Sequence, residues 1–193
     1  MLICVTNRQV CQDDYLNRIS QLAKGKPHAI MLREKDLSLT EYECLAGRVK
    51  EICDLYDVPL IINQNIPTAA KLKLKNIHLS MSDLRQYKSE ISDFVFGASV
   101  HSVAEAKEAQ ALGASYLIAG HIFSTDCKKG VPPRGLSFLE EVCTSVTIPV
   151  FAIGGISKDK VQDITKTGAK GISIMSESMT CTNPVNLTNE FRI

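Results

Sequence analysis

The sequence predicts an α/β fold, a single compact (β/α)8 (TIM) barrel with short loops, and three observations support this prediction. Short apolar, β-branched runs alternate with amphipathic stretches along the whole chain. Eight such runs occur, and each has the length of a buried parallel strand. No linker rich in Pro, Gly or Ser divides the 193 residues, so we expect one domain over residues 1–193.

The strand-like runs alternate with helix-like segments, and this order requires crossover connections and therefore a parallel sheet. A typical barrel of this kind takes about 250 residues, so the loops here must be short. An open, doubly wound sheet is the alternative, which a small miscount of strands would favour. The runs are Leu2–Thr6, His28–Leu32, Pro59–Ile62, Asn76–His78, Phe94–Ser99, Tyr116–Gly120, Pro149–Ile153 and Gly171–Ile174.

Helix-like segments show apolar residues at helical spacing and recognisable ends. Ser102 followed by Glu105 has the form of a capping box, and Gly113 and Gly168 suit helix C-caps. The clearest segments are Asp13–Lys24, Leu39–Tyr56, Val103–Leu112 and Lys158–Thr167.

Composition excludes several classes of protein. A net charge of +1 argues against a nucleic-acid-binding protein that depends on a broad basic surface. Seven scattered cysteines without a CxxC pair argue against a secreted disulfide framework and favour the reducing cytoplasm. No stretch approaches the ~18 consecutive apolar residues of a membrane span, so no membrane partner is expected.

In either α/β architecture the ligand binds at the carboxyl ends of the strands. Gly154 and Gly155 follow the seventh run, and Met175 and Ser176 follow the eighth. Barrel phosphate sites commonly use these two loops and a helix N-terminus, so we expect a phosphate here. The alternative is a tight turn that needs glycine for its backbone conformation.

The longest loop follows the sixth run, from His121 to Arg134. It gathers an imidazole, a carboxylate and three cations, and loops of this length are usually functional or disordered. The pKa of an unperturbed imidazole suits proton transfer at neutral pH, although a lone histidine is often structural. Cys127 lies beside Lys128, but no base is evident for it, so we expect no nucleophilic role.

Polar residues also follow the second, third and fourth runs. Arg33 and Lys35 alternate on one side and would bind an anion there, unless they are ordinary surface cations. Asn63 and Asp83 lie at neighbouring strand ends and are not diagnostic alone. No paired-carboxylate or Ser-His-Asp arrangement is visible, and we expect no resident metal.

Seven motifs in this order resemble the thiamin phosphate synthase superfamily, across nearly the whole chain. The resemblance implies the same (β/α)8 barrel. The motifs are Arg33-Glu34-Lys35, Ile61–Gln64, Ile77–Asp83, Gly97–Ser102, Gly120–Lys129, Ala152–Ile156 and Gly168–Ser176.

The superfamily includes two activities. Thiamin phosphate synthase joins hydroxymethylpyrimidine diphosphate to thiazole phosphate and releases pyrophosphate with Mg²⁺, whereas the TenI-type thiazole tautomerase aromatises a carboxythiazole phosphate. The synthase pattern implies Gln, Asp and Thr where this chain has Met31, Gln64 and Cys127. Mg²⁺ prefers anionic oxygens, and only Asp83 of the two implied metal carboxylates is present. These departures predict an impaired diphosphate site.

The loop that begins at His121 is similar to the tautomerase version, and His121 matches its catalytic histidine. The resemblance therefore implies a thiazole tautomerase, an isomerase that moves a proton through His121 and needs no cofactor. The alternatives are a synthase that uses Mg²⁺ and a non-catalytic binder of thiazole phosphates. The substrate contacts it implies are Arg33, Lys35, Asn63, Ser99, Thr125, Lys128, Gly155, Met175 and Ser176.

The expected partner is a small thiazole phosphate. The C-terminal segment, residues 181–193, has few apolar residues and predicts a reduced last helix. A second subunit would cover the apolar surface exposed in this way, which favours a homodimer.

Overall fold

The computed structural model describes residues 1–192. Its eight strands form a closed parallel barrel in chain order, β1-β2-β3-β4-β5-β6-β7-β8, which confirms the predicted fold class and excludes the open sheet. The strands are β1 (Leu2–Val5), β2 (Ala29–Leu32), β3 (Leu60–Asn63), β4 (Asn76–Ser80), β5 (Val95–Val100), β6 (Tyr116–Gly120), β7 (Val150–Ile153) and β8 (Gly171–Ile174).

A helix follows each strand, as the repeated strand–helix pattern predicts. The α-helices are α1 (Tyr15–Lys24), α2 (Leu39–Leu55), α3 (Ile66–Lys71), α4 (Met81–Tyr87), α5 (Val103–Ala111), α6 (Gly135–Ser145), α7 (Val161–Lys166), α8 (Ser176–Thr180) and α9 (Leu187–Glu190). Short 3-10 helices lie at Lys88–Glu90, Asp126–Lys128, Lys158–Lys160 and Pro184–Asn186.

The strands are apolar because both of their faces are covered. Every residue of β1, β2 and β8 is buried, as expected for parallel strands with side chains on one face and helices on the other. The register pairs Ile30 of β2 with Leu60 of β3, and Phe151 of β7 with Gly171 of β8.

The chain comprises two compact units. The first, here the N-terminal unit, contains Leu2–Ile77 and Ile174–Arg192. The second, here the central unit, contains Met1 and His78–Ser173. The single domain over residues 1–193 stays a prediction.

The predicted helix ends are mostly present. Gly113 and Gly168 adopt positive φ angles of 89° and 86° after α5 and α7, which confirms them as C-terminal glycines. Ser102 accepts a hydrogen bond from the Glu105 N–H at 3.1 Å, as a capping residue should. The Glu105 carboxylate, however, accepts from the His101 N–H at 2.6 Å, so the predicted box is displaced by one residue.

The last two α-helices are short, α8 of five residues and α9 of four, which agrees with the predicted reduced last helix. Leu187 and Phe191 are buried within the chain, so these two residues do not add to an exposed apolar surface. Across residues 1–192, no helix combines the length and the apolar character that crossing a membrane requires.

Candidate active site

In the N-terminal unit, a buried carboxylate joins the loops that follow β1 and β2. Glu34 is only 4% exposed. Its oxygens accept hydrogen bonds from Thr6 Oγ1 at 2.7 Å, from the Arg8 N–H at 2.9 and 3.1 Å, and from the Tyr15 hydroxyl at 3.0 Å. Burial, together with the nearby carboxylate, raises the pKa of Tyr15, so its hydroxyl remains a donor.

Glu34 lies between the two predicted anion-binding cations. Arg33 is half-buried and Lys35 is exposed, while the side chain between them is enclosed. The Arg33 N–H donates to Thr6 Oγ1 at 3.1 Å, and Arg8 forms an ion pair with Asp36 on the same loop. These contacts fix the backbone that carries both cations.

A pocket of 420 Å³ lies at the ends of β2 and β3 in this unit. Lys35 and Asn63 both line it, so the structure brings these two predicted residues together, whereas Arg33 is not among the lining residues. Asn63 Nδ2 donates to Gln64 Oε1 at 3.2 Å, and Gln64 adopts a positive φ of 62°. One cation, three amides (Asn63, Gln64 and Asn65) and the Glu34 carboxylate line the pocket. The cation and the amides supply the donors that an anion would need.

Met175 and Ser176 follow β8 in the same unit. Met175 Sδ accepts a weak hydrogen bond from Asn7 Nδ2 at 3.9 Å, and Ser176 begins α8 with an exposed side chain. Because α8 has five residues, its dipole offers an anion little, which weakens the helix N-terminus argument made from the sequence.

In the central unit, His121 lies inside its own loop. It is 4% exposed, and its Nε2 lies 3.2 Å from the Val131 carbonyl. Arg134 N–H donates to the His121 carbonyl at 3.0 Å, which holds the two ends of the loop together. The imidazole therefore serves as a buried donor within the loop, instead of an exposed base at the end of β6.

Gly154 and Gly155 are required by the turn after β7. Their φ angles are 102° and 63°, and a Cβ on Gly154 would lie 2.4 Å from His121 Cβ. A Cβ on Gly155 would lie 2.2 Å from the Ser124 carbonyl oxygen. Lys160 Nζ donates to the Gly155 carbonyl at 2.8 Å. The tight-turn alternative accounts for both glycines, and phosphate binding by Gly155 stays a prediction.

The tip of the loop carries the remaining predicted contacts. The Lys128 N–H donates to the Thr125 carbonyl at 3.0 Å, so these two residues are brought together by one turn. Lys128 is exposed and Thr125 is half-buried. The side chain of Cys127 lies outside the described part of the structure, so its expected lack of a nucleophilic role stays a prediction.

Ser99 lies near the end of β5 and contacts His78, which in turn contacts Tyr116; the sequence assigned neither residue to the site. Its Oγ lies 2.8 Å from His78 Nε2, and His78 Nδ1 lies 3.2 Å from the Tyr116 hydroxyl. Burial lowers the pKa of His78 to about 3 and raises the pKa of Tyr116. Glu34 was missed in the same way, because it stands in a charged stretch that resembles a solvated loop.

Of the two positions that the family resemblance implies for Mg²⁺, Gln64 and Asp83, only Asp83 carries a carboxylate. Among them, no three His, Cys, Asp or Glu side chains lie close enough together to hold a metal ion. The Asp83 carboxylate accepts a hydrogen bond from Ser80 Oγ at 2.7 Å, and Gln64 offers a neutral amide. Mg²⁺ in proteins is usually held by one or two carboxylates plus substrate phosphates.

Comparison with known proteins gives one consistent family. The sequence pattern of the family described as thiamine monophosphate synthase matches residues 2–177. The thiamine-phosphate synthase of Methanobrevibacter smithii is 35% identical over 99% of this chain and 95% of its own length. That of Clostridium botulinum strain Kyoto is 39% identical over 91% of this chain and 88% of its own.

A solved structure agrees with these relatives. The thiamine phosphate pyrophosphorylase from Pyrococcus furiosus superposes with a TM-score of 0.88 and 30% identity, over 99% of this chain and 93% of that one. The 3-hexulose-6-phosphate synthase structure, at 15% identity and a TM-score of 0.73, shares the fold alone.

The expectation of a tautomerase is therefore wrong. Relatives that match almost the full chain are named as synthases. The prediction that the enzyme is an isomerase is therefore wrong as well. The expectation of a tautomerase rested on Met31, Gln64 and His121, which are three positions within a match that extends along almost the whole chain. The structure supplies a physical reason, because the His121 imidazole is enclosed and hydrogen-bonded to Val131. This chain belongs to the thiamine monophosphate synthase family.

Proposed function

We propose that the protein is a thiamine-phosphate synthase, a transferase that joins hydroxymethylpyrimidine diphosphate to thiazole phosphate and releases pyrophosphate. One observation carries this proposal: the 35% identity to the Methanobrevibacter smithii enzyme extends over 99% of the chain. The enzyme class follows from the relatives' names, and the residues at the strand ends are consistent with it.

The reaction depends on the stabilisation of developing charge more than on proton transfer. The thiazole ring nitrogen forms a bond to the pyrimidine methylene carbon, and the bond from that carbon to the diphosphate oxygen breaks. The pyrophosphate leaves with the electron pair, and the thiazole nitrogen becomes positively charged. No proton moves in this step, so the account does not need His121 as a base.

Arg33 and Lys35 supply charges that suit a diphosphate leaving group. A preorganised cation stabilises the charge that develops as the pyrophosphate departs, and guanidinium matches phosphate geometry. We assign the diphosphate to Arg33, Lys35 and Asn63, supported by the pocket that Lys35 and Asn63 line and by the fixed backbone around Glu34.

Within the central unit, we assign the thiazole phosphate to Thr125, Lys128 and Gly155. Thr125 and Lys128 share one turn, and Lys128 is an exposed cation. Gly155 follows β7, where barrels of this type commonly bind phosphate. The phosphate contacts of Met175 and Ser176 stay predictions. We derive no step through Mg²⁺, because only one of the two implied carboxylates is present. A homodimer and a cytoplasmic location stay predictions.

The proposal is tested by incubating the purified protein with both substrates and Mg²⁺ and measuring thiamin phosphate by chromatography. Product should form only when both substrates are present. Lys35→Ala should raise the KM for the diphosphate substrate about tenfold or more, because one charge-assisted contact is lost. Lys107→Ala removes an exposed cation on α5 and should leave the KM unchanged.

Absence of thiamin phosphate from a protein that binds both substrates would overturn the proposal. Equal effects of Lys35→Ala and Lys107→Ala would overturn the assignment of Lys35 while leaving the activity in place.

A further inference from the structure

Three polar side chains of the central unit form a hydrogen-bonded series, Tyr116–His78–Ser99. Tyr116 lies on β6 and His78 on β4, yet their rings stack with centroids 5.5 Å apart. They meet across Gly97 of the intervening β5, where a Cβ would lie 2.2 Å from the Tyr116 ring. Side chains from alternate strands converge on the inner face of a barrel. We infer that the series faces the interior and ends at Ser99, near the carboxyl end of β5.

His78 is neutral at physiological pH. It is 2% exposed, and burial lowers its pKa to about 3. A neutral imidazole has one donor nitrogen and one acceptor nitrogen. His78 must therefore donate a hydrogen bond to one of its two partners, Tyr116 or Ser99, and accept a hydrogen bond from the other.

One of the two arrangements leaves a donor unpaired. If Nδ1 carried the proton, the Tyr116 oxygen would accept it, and the phenol hydrogen would have no acceptor among the residues described. A buried unpaired donor is costly, and phenols that are buried usually find a partner. In the other arrangement the Tyr116 hydroxyl donates to Nδ1, and Nε2–H donates to Ser99 Oγ at 2.8 Å.

We propose that Tyr116 and His78 are positioning residues that make Ser99 a hydrogen-bond donor to the substrate. Because Ser99 Oγ accepts from His78, its own proton is directed elsewhere, and the half-buried side chain leaves it accessible. Its partner must be an acceptor atom without a proton, such as a pyrimidine ring nitrogen or a phosphate oxygen. The identity of this ligand rests on the proposed function, whereas the direction of the series does not.

The direction is measured by ¹⁵N NMR of the histidine rings in the unliganded protein. The His78 signals, assigned by their loss in His78→Gln, should show a proton on Nε2 and no titration between pH 5 and pH 8. Tyr116→Phe keeps the ring but removes the hydroxyl that donates to Nδ1, so the Nδ1 signal should shift while the proton stays on Nε2. A proton on Nδ1 in the unmodified protein, or unchanged signals in Tyr116→Phe, would overturn the proposal.

Kinetics test the consequence for the substrate. Ser99→Ala should lower kcat/KM about tenfold, the effect of one lost hydrogen bond, and Tyr116→Phe should lower it by a similar factor. Because both act through one contact, the double variant should lose no more than Ser99→Ala alone. Tyr87→Phe, a phenol on α4 outside the series, is the matched control and should have no effect.

Multiplicative losses in the double variant would contradict the series. If the proposed function were wrong and the series correct, the NMR spectrum would still show the proton on Nε2 of His78, but no thiamin phosphate would form.

Discussion

Thr6 Oγ1 lies 2.7 Å from Oε1 of Glu34, so the segment after β1 and the segment after β2 share one buried carboxylate. The two cations assigned to the diphosphate, Arg33 and Lys35, flank this residue in the chain. Their position therefore depends on a buried side chain that is hydrogen-bonded to the segment after β1. Preorganisation of this kind allows cations to stabilise a leaving group without rearranging first.

Replacing Glu34 by Gln should reduce both stability and substrate affinity. The amide nitrogen would face the hydrogens of Thr6, Arg8 or Tyr15, so at least one buried donor would lose its acceptor. We expect the free energy of unfolding in urea to fall by about 2 kcal/mol. The KM for the diphosphate should rise as well. Glu51→Gln, on the exposed side of α2, is the control, and equal losses in both variants would contradict this role.

Gln64 offers a test of the metal requirement. Gln64→Asp would place a carboxylate where the family resemblance implies one, and Asp tolerates the positive φ at this position. Because Mg²⁺ prefers anionic oxygens, the Mg²⁺ concentration for half-maximal activity should fall severalfold. Gln64→Asn keeps the neutral amide and should not lower it. An unchanged Mg²⁺ dependence in Gln64→Asp would show that Gln64 lies away from the ion.

His121→Ala should weaken the protein without removing a group that takes part in the reaction. The variant loses a buried side chain and its contact with the Val131 carbonyl, so the free energy of unfolding should fall by about 1–3 kcal/mol. The profile of kcat between pH 6 and pH 8 should keep its shape. His28→Ala, at an exposed position, is the control. Loss of one limb of the pH profile in His121→Ala alone would restore a catalytic role for this residue.

The buried His78 predicts a dependence of stability on pH. Its folded pKa of about 3 lies below the ordinary value of 6.5, so between these limits the unfolded chain binds more protons. The free energy of unfolding should therefore decrease as the pH falls from about 6.5 toward 3, by roughly 1 kcal/mol per pH unit from this group. Urea titrations should show this contribution missing from His78→Gln. The same slope in both proteins would contradict it.

The fold could be predicted from the sequence because its signals are local. Each predicted run overlaps one strand, and β4 extends beyond the predicted Asn76–His78 because Ser80 both ends the strand and caps α4. The predicted length of the loop after β6 is also confirmed, since the next α-helix begins at Gly135.

The internal arrangement of the site could not be predicted, because its contacts are distant in sequence. Glu34 bonds to residues 28 and 19 positions away, and nothing in Arg-Glu-Lys-Asp distinguishes a buried carboxylate from a solvated one. The sequence suggested that His121 is a base, because it does not show that the later part of the loop brings the Val131 carbonyl next to the His121 imidazole. A stacked pair across Gly97 is a signal that only the barrel register reveals.

The most direct test of the account is a ³¹P NMR time course of the unmodified protein with both substrates and Mg²⁺. The diphosphate signals should decay while pyrophosphate and thiamin phosphate appear in equal amounts, and nothing should change when thiazole phosphate is omitted. Persistence of both substrate spectra at micromolar enzyme, with binding of each substrate demonstrated, would contradict the assignment of this chain as a synthase.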